Sequence, residues 1–145
     1  MAYWDTSALL KLYVSEHDSL YFDRLADQTQ EHIFSSAIVT IEVLCALYQK
    51  ELTGNLRPRG AGLGLSKFAA HMSSGRIVTV PYGNEVAAEA ETLVRRAFSQ
   101  PRPIRIRSLD AIHVASALVA KAATLVATDT RLREVAALAG LKVLP

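Results

Sequence analysis

Short β-like runs alternate with longer helical runs along this chain of 145 residues. The β-like runs cover residues 3–4, 32–34, 76–80, 124–128 and 142–144. Parallel strands need long crossover connections, which are usually helical. The alternation therefore predicts an α/β domain, a three-layer α/β/α sandwich with a mostly parallel central sheet. We expect a single domain over residues 1–145.

The segments between the β-like runs predict helices over residues 6–14, 18–27, 36–52, 67–73, 85–98, 108–120 and 130–139. Ser35 or Ser36 is predicted to cap the third of these helices, and Ser108 the sixth. Gly54–Gly64 is punctuated by glycines and a proline, which disfavour regular structure. We expect the segment from Gly54 to Ser73 to project as an arm.

Four acidic residues stand where ordinary folding explains an acid poorly. Asp5 and Asp129 directly follow β-like runs. Asp110 lies in the first turn of an apolar helix, and Glu42 interrupts the second turn of another. Because ligands bind beyond the carboxyl ends of parallel strands, these side chains can reach one crevice. Converging carboxylates repel, so a divalent cation is the simplest resolution. Helix capping stays open as a structural alternative for each aspartate.

Hydroxyl and imidazole groups flank these acids. Thr6, Ser7 and Thr128 can bind a metal-bound water or a phosphate oxygen, or they can cap helices. His113 follows Asp110 by three residues, so both lie on one helix face. That histidine can orient an acid or touch a substrate, and the alternative is a half-buried structural histidine.

The net charge of +2 permits a polyanionic partner without demanding one. The densest basic cluster is a set of loop arginines, which can hold a phosphate backbone or merely be solvated: Arg102, Arg105 and Arg107, joined by Arg57, Arg59 and Lys67. The lone Cys45 excludes an internal disulfide and is expected in the core, which suits a cytoplasmic protein. We expect no signal peptide and no membrane span.

Four segments carry a recognisable pattern: Tyr3–Tyr13 with Glu16 soon after, Ser35–Val43, Leu109–Ala117 and Val126–Leu132. In this order they resemble PIN-domain proteins, most of all the toxin ribonucleases of bacterial VapBC-type toxin–antitoxin pairs. The resemblance covers essentially the whole chain. It departs at Trp4, where an aliphatic residue is usual, and at the glycine-rich Gly60–Gly64.

The resemblance implies a Mg²⁺- or Mn²⁺-dependent cut in RNA. The acidic quartet of the family falls on Asp5, Glu42, Asp110 and Asp129, and its Ser/Thr helpers fall on Ser7 and Thr128. The resemblance also implies a neutralising antitoxin protein that offers a cation to the acidic crevice. A homodimer is expected, because the helices before residue 54 are rich in apolar residues and the family usually pairs.

The mechanistic hypothesis is hydrolysis by a metal-activated water. Asp5, Glu42 and Asp110 are expected to hold one metal ion, with Asp129 completing its shell or a second one. In-line attack by the water leaves a 5′-phosphate and a 3′-hydroxyl. The arginines of residues 102–107 position RNA without reading its sequence.

Several other functions compete with this hypothesis. A catalytically silent RNA- or protein-binding module and a structure-specific DNA nuclease both stay open. A haloacid-dehalogenase-type phosphatase needs a second aspartate two residues after the first, and position 7 is serine. A receiver domain needs an N-terminal acidic pair that is absent from the sequence.

Overall fold

The computed structural model describes residues 1–28 and 32–145 of the chain. Within these residues the strands are β1 (Ala2–Trp4), β2 (Ile33–Ser36), β3 (Ile77–Val80), β4 (Thr124–Val126) and β5 (Lys142–Leu144). The helices are α1 (Thr6–Leu9) with a 3₁₀ turn at Leu10–Leu12, α2 (Ser19–Gln28), α3 (Val39–Leu52), α4 (Gly60–Ser73), α5 (Asn84–Phe98), α6 (Ser108–Val119) and α7 (Thr130–Leu138).

The described strands form one parallel sheet with a hydrophobic core on each face. Tyr3 and Leu125 point into the core formed with α5, α6 and α7. Their neighbours Trp4 and Val126 point into the core formed with α1, α2, α3 and α4. This alternation follows from the two-residue period of a strand that is buried on both faces. It confirms the predicted three-layer sandwich with a parallel sheet.

The strand order β3-β2-β1-β4-β5 places the first strand in the middle of the sheet. The chain first adds β2 and β3 on one side of β1 and later adds β4 and β5 on the other. The direction of winding therefore changes between β1 and β4, and such a switch point opens a crevice at the carboxyl ends of the strands. The backbone N–H of Asp5 donates to the carbonyl of Val126 at 3.0 Å, which closes the β1–β4 ladder at this crevice.

Two predicted helix caps are wrong. Ser35 and Ser36 lie in β2, in register with Thr79 and Val80 of β3. The strand ladder satisfies their backbone groups and leaves α3 to begin at Val39, without a side-chain cap. Glu42 consequently lies in the first turn of α3 rather than the second. The other wrong cap is the serine at position 108, which is the first residue inside α6 rather than its cap.

The glycine-rich segment does not project as an arm. Helix α4 begins at Gly60 rather than at position 67, and it packs against α3. Glu51 accepts the backbone N–H of Ala61 at 2.7 Å and so caps α4 from the neighbouring helix. A Cβ atom at Gly64 would lie 3.1 Å from Cδ1 of Leu47, so glycine permits the close approach of the two helices. This tertiary packing outweighs the poor helix propensity of glycine.

Helix α3 has one buried and one exposed apolar face. Its buried face carries Val39, Val43 and Leu47. Its exposed apolar residues are Ile41, Leu44, Tyr48 and Leu52. Cys45 is also exposed, so the prediction that it is a core residue is wrong. The apolar sequence of α3 did not indicate which face of the helix packs against the rest of the chain.

Glu16 fastens the segment after α1 to α3. Its carboxylate accepts from Nζ of Lys11 at 2.5 Å and from Nζ of Lys50 at 2.6 Å. Since α1 follows Asp5 and α3 carries Glu42, this ion-paired bridge helps fix the two acids relative to each other. Within residues 1–28 and 32–145, every helix is too short or too polar to cross a lipid bilayer.

Candidate active site

Asp5 is a nearly buried carboxylate at the switch point of the sheet, with only 4% of its surface exposed. Its Oδ1 accepts the backbone N–H of Ala8 at 3.0 Å and the hydroxyl of Ser7 at 2.8 Å. Asp5 therefore does cap α1. Burial nevertheless raises the pKa of Asp5, although His113 and these hydrogen bonds oppose the shift. The protein thus supplies too little positive charge to stabilise the ionised Asp5 carboxylate fully, and a bound cation would stabilise it.

Ser7 connects Asp5 with the loop that follows β4. Its hydroxyl donates to Asp5 and accepts the backbone N–H of Thr128 at 2.9 Å. Ser7 thus sits beside an acid, and its role as a helper of the acidic site stays a prediction. Thr128 takes part through its backbone amide, and a direct role of its hydroxyl stays a prediction.

Glu42 is held by a chain of polar side chains that crosses the layers. Its Oε2 accepts from Oγ1 of Thr6 at 2.5 Å and from Nε2 of His113 at 2.7 Å. On the other side of the imidazole, Nδ1 lies 2.8 Å from the hydroxyl of Tyr3. Burial acts to raise the pKa of Glu42, but the bonds from His113 and Thr6 outweigh it and leave that pKa lowered. Glu42 is thereby kept ionised and fixed in orientation.

Asp110 and Asp129 share one guanidinium group. Nε of Arg107 donates to Oδ2 of Asp110 at 3.0 Å, and Nη2 of Arg107 donates to Oδ2 of Asp129 at 2.7 Å. Asp129 also caps α7, because its Oδ1 accepts the backbone N–H groups of Arg131 and Leu132. The capping alternative is thus correct for Asp129, but its Oδ2 still contacts the guanidinium of Arg107.

The four acids consequently occur as Asp5, a Glu42–His113 pair, and an Asp110–Asp129 pair bridged by arginine. Across residues 1–28 and 32–145, no three His, Cys, Asp or Glu side chains form a ready-made metal-binding group. The donor set still fits a hard divalent cation, because it consists of carboxylate oxygens and includes an undercompensated buried acid. That Asp5, Glu42 and Asp110 hold one metal ion, with Asp129 completing its shell or a second one, remains a prediction.

The loop arginines divide into two groups. Arg102 and Arg105 line a surface groove of about 670 Å³, which they share with Arg131 and Glu134 of α7. Arg107 instead turns toward the acids. Lys67 was considered for binding a phosphate backbone, but its Nζ donates to the carbonyl of Leu12 at 2.8 Å.

Sequence reasoning missed two contributors to this region and the contacts of a third residue. Tyr3 supports His113 from a strand 110 residues away, which no local pattern signals. Arg131 joins the groove arginines only because α7 packs beside their loop. Arg107 was recognised as basic but not as the partner of two acids. Its spacing of three residues before Asp110 was the one available signal.

Comparisons with known proteins agree with this architecture. The PIN domain model matches residues 2–138 of the chain. Among solved structures, the crystal structure of VapBC2 from Rickettsia felis bound to a DNA fragment from their promoter contains a similar chain. The similarity covers 99% of this chain and 98% of that one, with a TM-score of 0.67 and 18% sequence identity. At that identity the likeness shows the fold alone. No curated protein matches the sequence significantly.

Proposed function

Because this chain belongs to the PIN domain family, we propose that it is a metal-dependent endoribonuclease and the toxin of a bacterial toxin–antitoxin pair. The observation that carries the proposal is the setting of Asp5. This carboxylate is nearly buried at the switch point of a parallel sheet, and its pKa is raised by burial. A group that needs a cation at the usual ligand-binding edge of the fold is what a metal-dependent hydrolase requires.

Asp5, Glu42, Asp110 and Asp129 are the residues that would hold Mg²⁺ or Mn²⁺. Such an ion, when bound, supplies an activated water and charge stabilisation for the phosphate. The chain supplies the orientation of the acids. Thr6 and His113 fix Glu42, and Ser7 fixes Asp5 against the loop after β4. We place Thr128 in the same supporting group through this contact.

Arg102, Arg105 and Arg107 are proposed to bind the RNA backbone. Arg102 and Arg105 line a groove together with Arg131, so three guanidinium groups border one surface depression. Arg107 lies in the same loop and contacts the acids themselves. Guanidinium groups pair with phosphate oxygens through paired hydrogen bonds, independently of base sequence.

The proposal is tested by comparing RNA and DNA of equal sequence as substrates. With Mg²⁺ or Mn²⁺ present we expect cleavage of RNA only. With EDTA we expect no cleavage of either nucleic acid, because the metal is needed for hydrolysis. Cleavage of DNA with metal would identify a structure-specific DNA nuclease instead. Tight RNA binding without any product would identify a silent binding module.

We further propose a homodimer formed through the exposed face of α3. This face presents Ile41, Leu44, Tyr48 and Leu52, and Leu52 is 88% exposed. These residues follow a spacing of three and four, so they form one apolar stripe along the helix. Contiguous exposed apolar surface usually marks a protein interface. The proposed antitoxin is a second protein partner, one that offers a cation to the acidic crevice.

Replacement of Tyr48 by Asp should convert the dimer into a monomer, since a charge at the centre of an apolar interface is desolvated without a partner. Light scattering of the purified protein over a range of concentrations measures this. The matched control is Tyr82→Asp, which changes an equally exposed tyrosine in the connection between β3 and α5. A wild-type protein that stays monomeric, or a Tyr48→Asp dimer, would contradict the proposed interface.

A further inference from the structure

Arg107 is held at the acidic crevice by two ion pairs from its own chain. Its guanidinium contacts Oδ2 of Asp110 at 3.0 Å and Oδ2 of Asp129 at 2.7 Å. These carboxylates come from different elements, since one lies in the first turn of α6 and the other directly before α7. The side chain of Arg107 is thus the positive partner that both carboxylates share.

We propose that Arg107 is an internal counter-ion that a divalent metal must displace from Asp110 and Asp129. The inference rests on the metal site of the proposed function. A metal such as Mg²⁺ binds carboxylate oxygens at about 2.0–2.1 Å. A guanidinium that already contacts the same two Oδ2 atoms would face the metal at close range, and two cations at such a distance repel. The two occupants therefore compete for these carboxylate oxygens.

The construction of the loop permits such an exchange. The backbone N–H of Arg107 also faces Oδ2 of Asp110, at 3.3 Å, so the residue itself stays anchored at the start of α6. Only the side chain has to move, and 58% of its surface is exposed to solvent. The Asp110 side chain is only 11% exposed, so its position is more restricted than that of the Arg107 side chain. Arg107 can thus leave without unfolding the helix.

The exchange gives Arg107 a role on both sides of the equilibrium. Without metal it offsets the repulsion between Asp110 and Asp129. With metal bound, its guanidinium is free for an anion, and the backbone phosphate of the substrate is the anion brought to this crevice. Arg107 therefore couples the two ligands: RNA gives it a second partner and should raise the metal affinity. By linkage, metal should raise the RNA affinity by the same factor.

Calorimetric titration with Mn²⁺ tests the exchange on the full-length protein. The variant Arg107→Met retains an unbranched apolar side chain and removes the guanidinium charge. We expect it to bind Mn²⁺ about five- to tenfold more tightly than wild type, since two partly exposed ion pairs no longer compete. The matched control is Arg105→Met, which removes a charge two residues away that does not contact the acids. Its effect should stay within about twofold, because solvent and salt screen it.

A second readout follows the side chain itself. The Nε–H resonance of Arg107, assigned by its loss in Arg107→Lys, should shift toward the position of a solvated arginine when Mg²⁺ is added to the wild type. Equal Mn²⁺ affinity of wild type and Arg107→Met, or an Nε–H signal that Mg²⁺ leaves unchanged, overturns the exchange while the metal site itself stands. Absence of Mn²⁺ binding by both folded proteins overturns the metal site and the exchange together.

Discussion

Replacement of Asp5 by Asn should give a folded protein that no longer cleaves RNA. Asparagine caps helices about as well as aspartate, so the bond from the backbone of Ala8 can persist. What disappears is the negative charge that would hold the metal. Loss of several kcal/mol of charge stabilisation corresponds to a rate reduced by about a thousandfold or more. Initial rates of RNA cleavage, measured beside the exposed-surface control Asp27→Asn, test this expectation.

The stability of the same variant separates a functional acid from a structural cap. Burial raises the pKa of Asp5, so its neutral form favours folding and its ionised form opposes it. Folding stability of the wild type is therefore lost as the pH rises through the pKa of this carboxyl in the folded state. The Asp5→Asn variant has no such loss. Its melting temperature at about pH 7 should equal or exceed that of the wild type, with an advantage that shrinks in acid.

Two outcomes would contradict this assignment of Asp5. A folded Asp5→Asn protein that cleaves RNA at the wild-type rate removes the carboxylate from the reaction. A variant that is strongly destabilised at neutral pH assigns Asp5 to capping of α1 instead.

Replacement of His113 by Ala should impair both stability and activity. His113 is only 2% exposed and contacts both Glu42 and Tyr3. Its loss leaves a cavity and a buried tyrosine hydroxyl without this partner, at a cost of about 2–4 kcal/mol of unfolding free energy. Glu42 also loses a donor that orients it, and loss of such a supporting contact typically reduces metal affinity or activity by about 10–100-fold.

Denaturant unfolding, Mn²⁺ titration and cleavage rates together measure the two effects of the His113 substitution. His113→Gln retains an amide donor that can reach Glu42, so it should recover part of the metal affinity without recovering all of the stability. His17→Ala, at an exposed position, is the control. Metal affinity and specific activity that stay unchanged in folded His113→Ala would restrict this histidine to a role in the core.

The sequence predicted those parts of the fold that depend on local patterns. Strand–helix alternation is written in residue periodicity, and it led to the parallel sandwich that the structure has. An acid at the end of an apolar run is equally local, which is why Asp5 and Asp129 could be named. Their approach to the same edge then follows from the adjacency of β1 and β4.

Features that depend on tertiary contacts escaped prediction. The start of α4 depends on the cap from Glu51 and on the fit of Gly64 against Leu47. Both contacts join residues that are well separated in the sequence. The exposure of Cys45 depends on which face of α3 the rest of the chain covers. The pairing of Arg107 with Asp129 spans 22 residues and exists only because α6 and α7 begin at the same edge.

The most direct test of a metal-dependent hydrolase is the chemistry of the RNA ends that it makes. Purified protein would be incubated with total RNA in Mg²⁺, Mn²⁺ or EDTA, beside Asp5→Asn, and the new 5′ ends would be captured by ligation that requires a phosphate. We expect discrete 5′-phosphate ends with metal, and none with EDTA or with the variant. Ends that carry a 5′-hydroxyl and form equally in EDTA would contradict hydrolysis by a metal-activated water at Asp5.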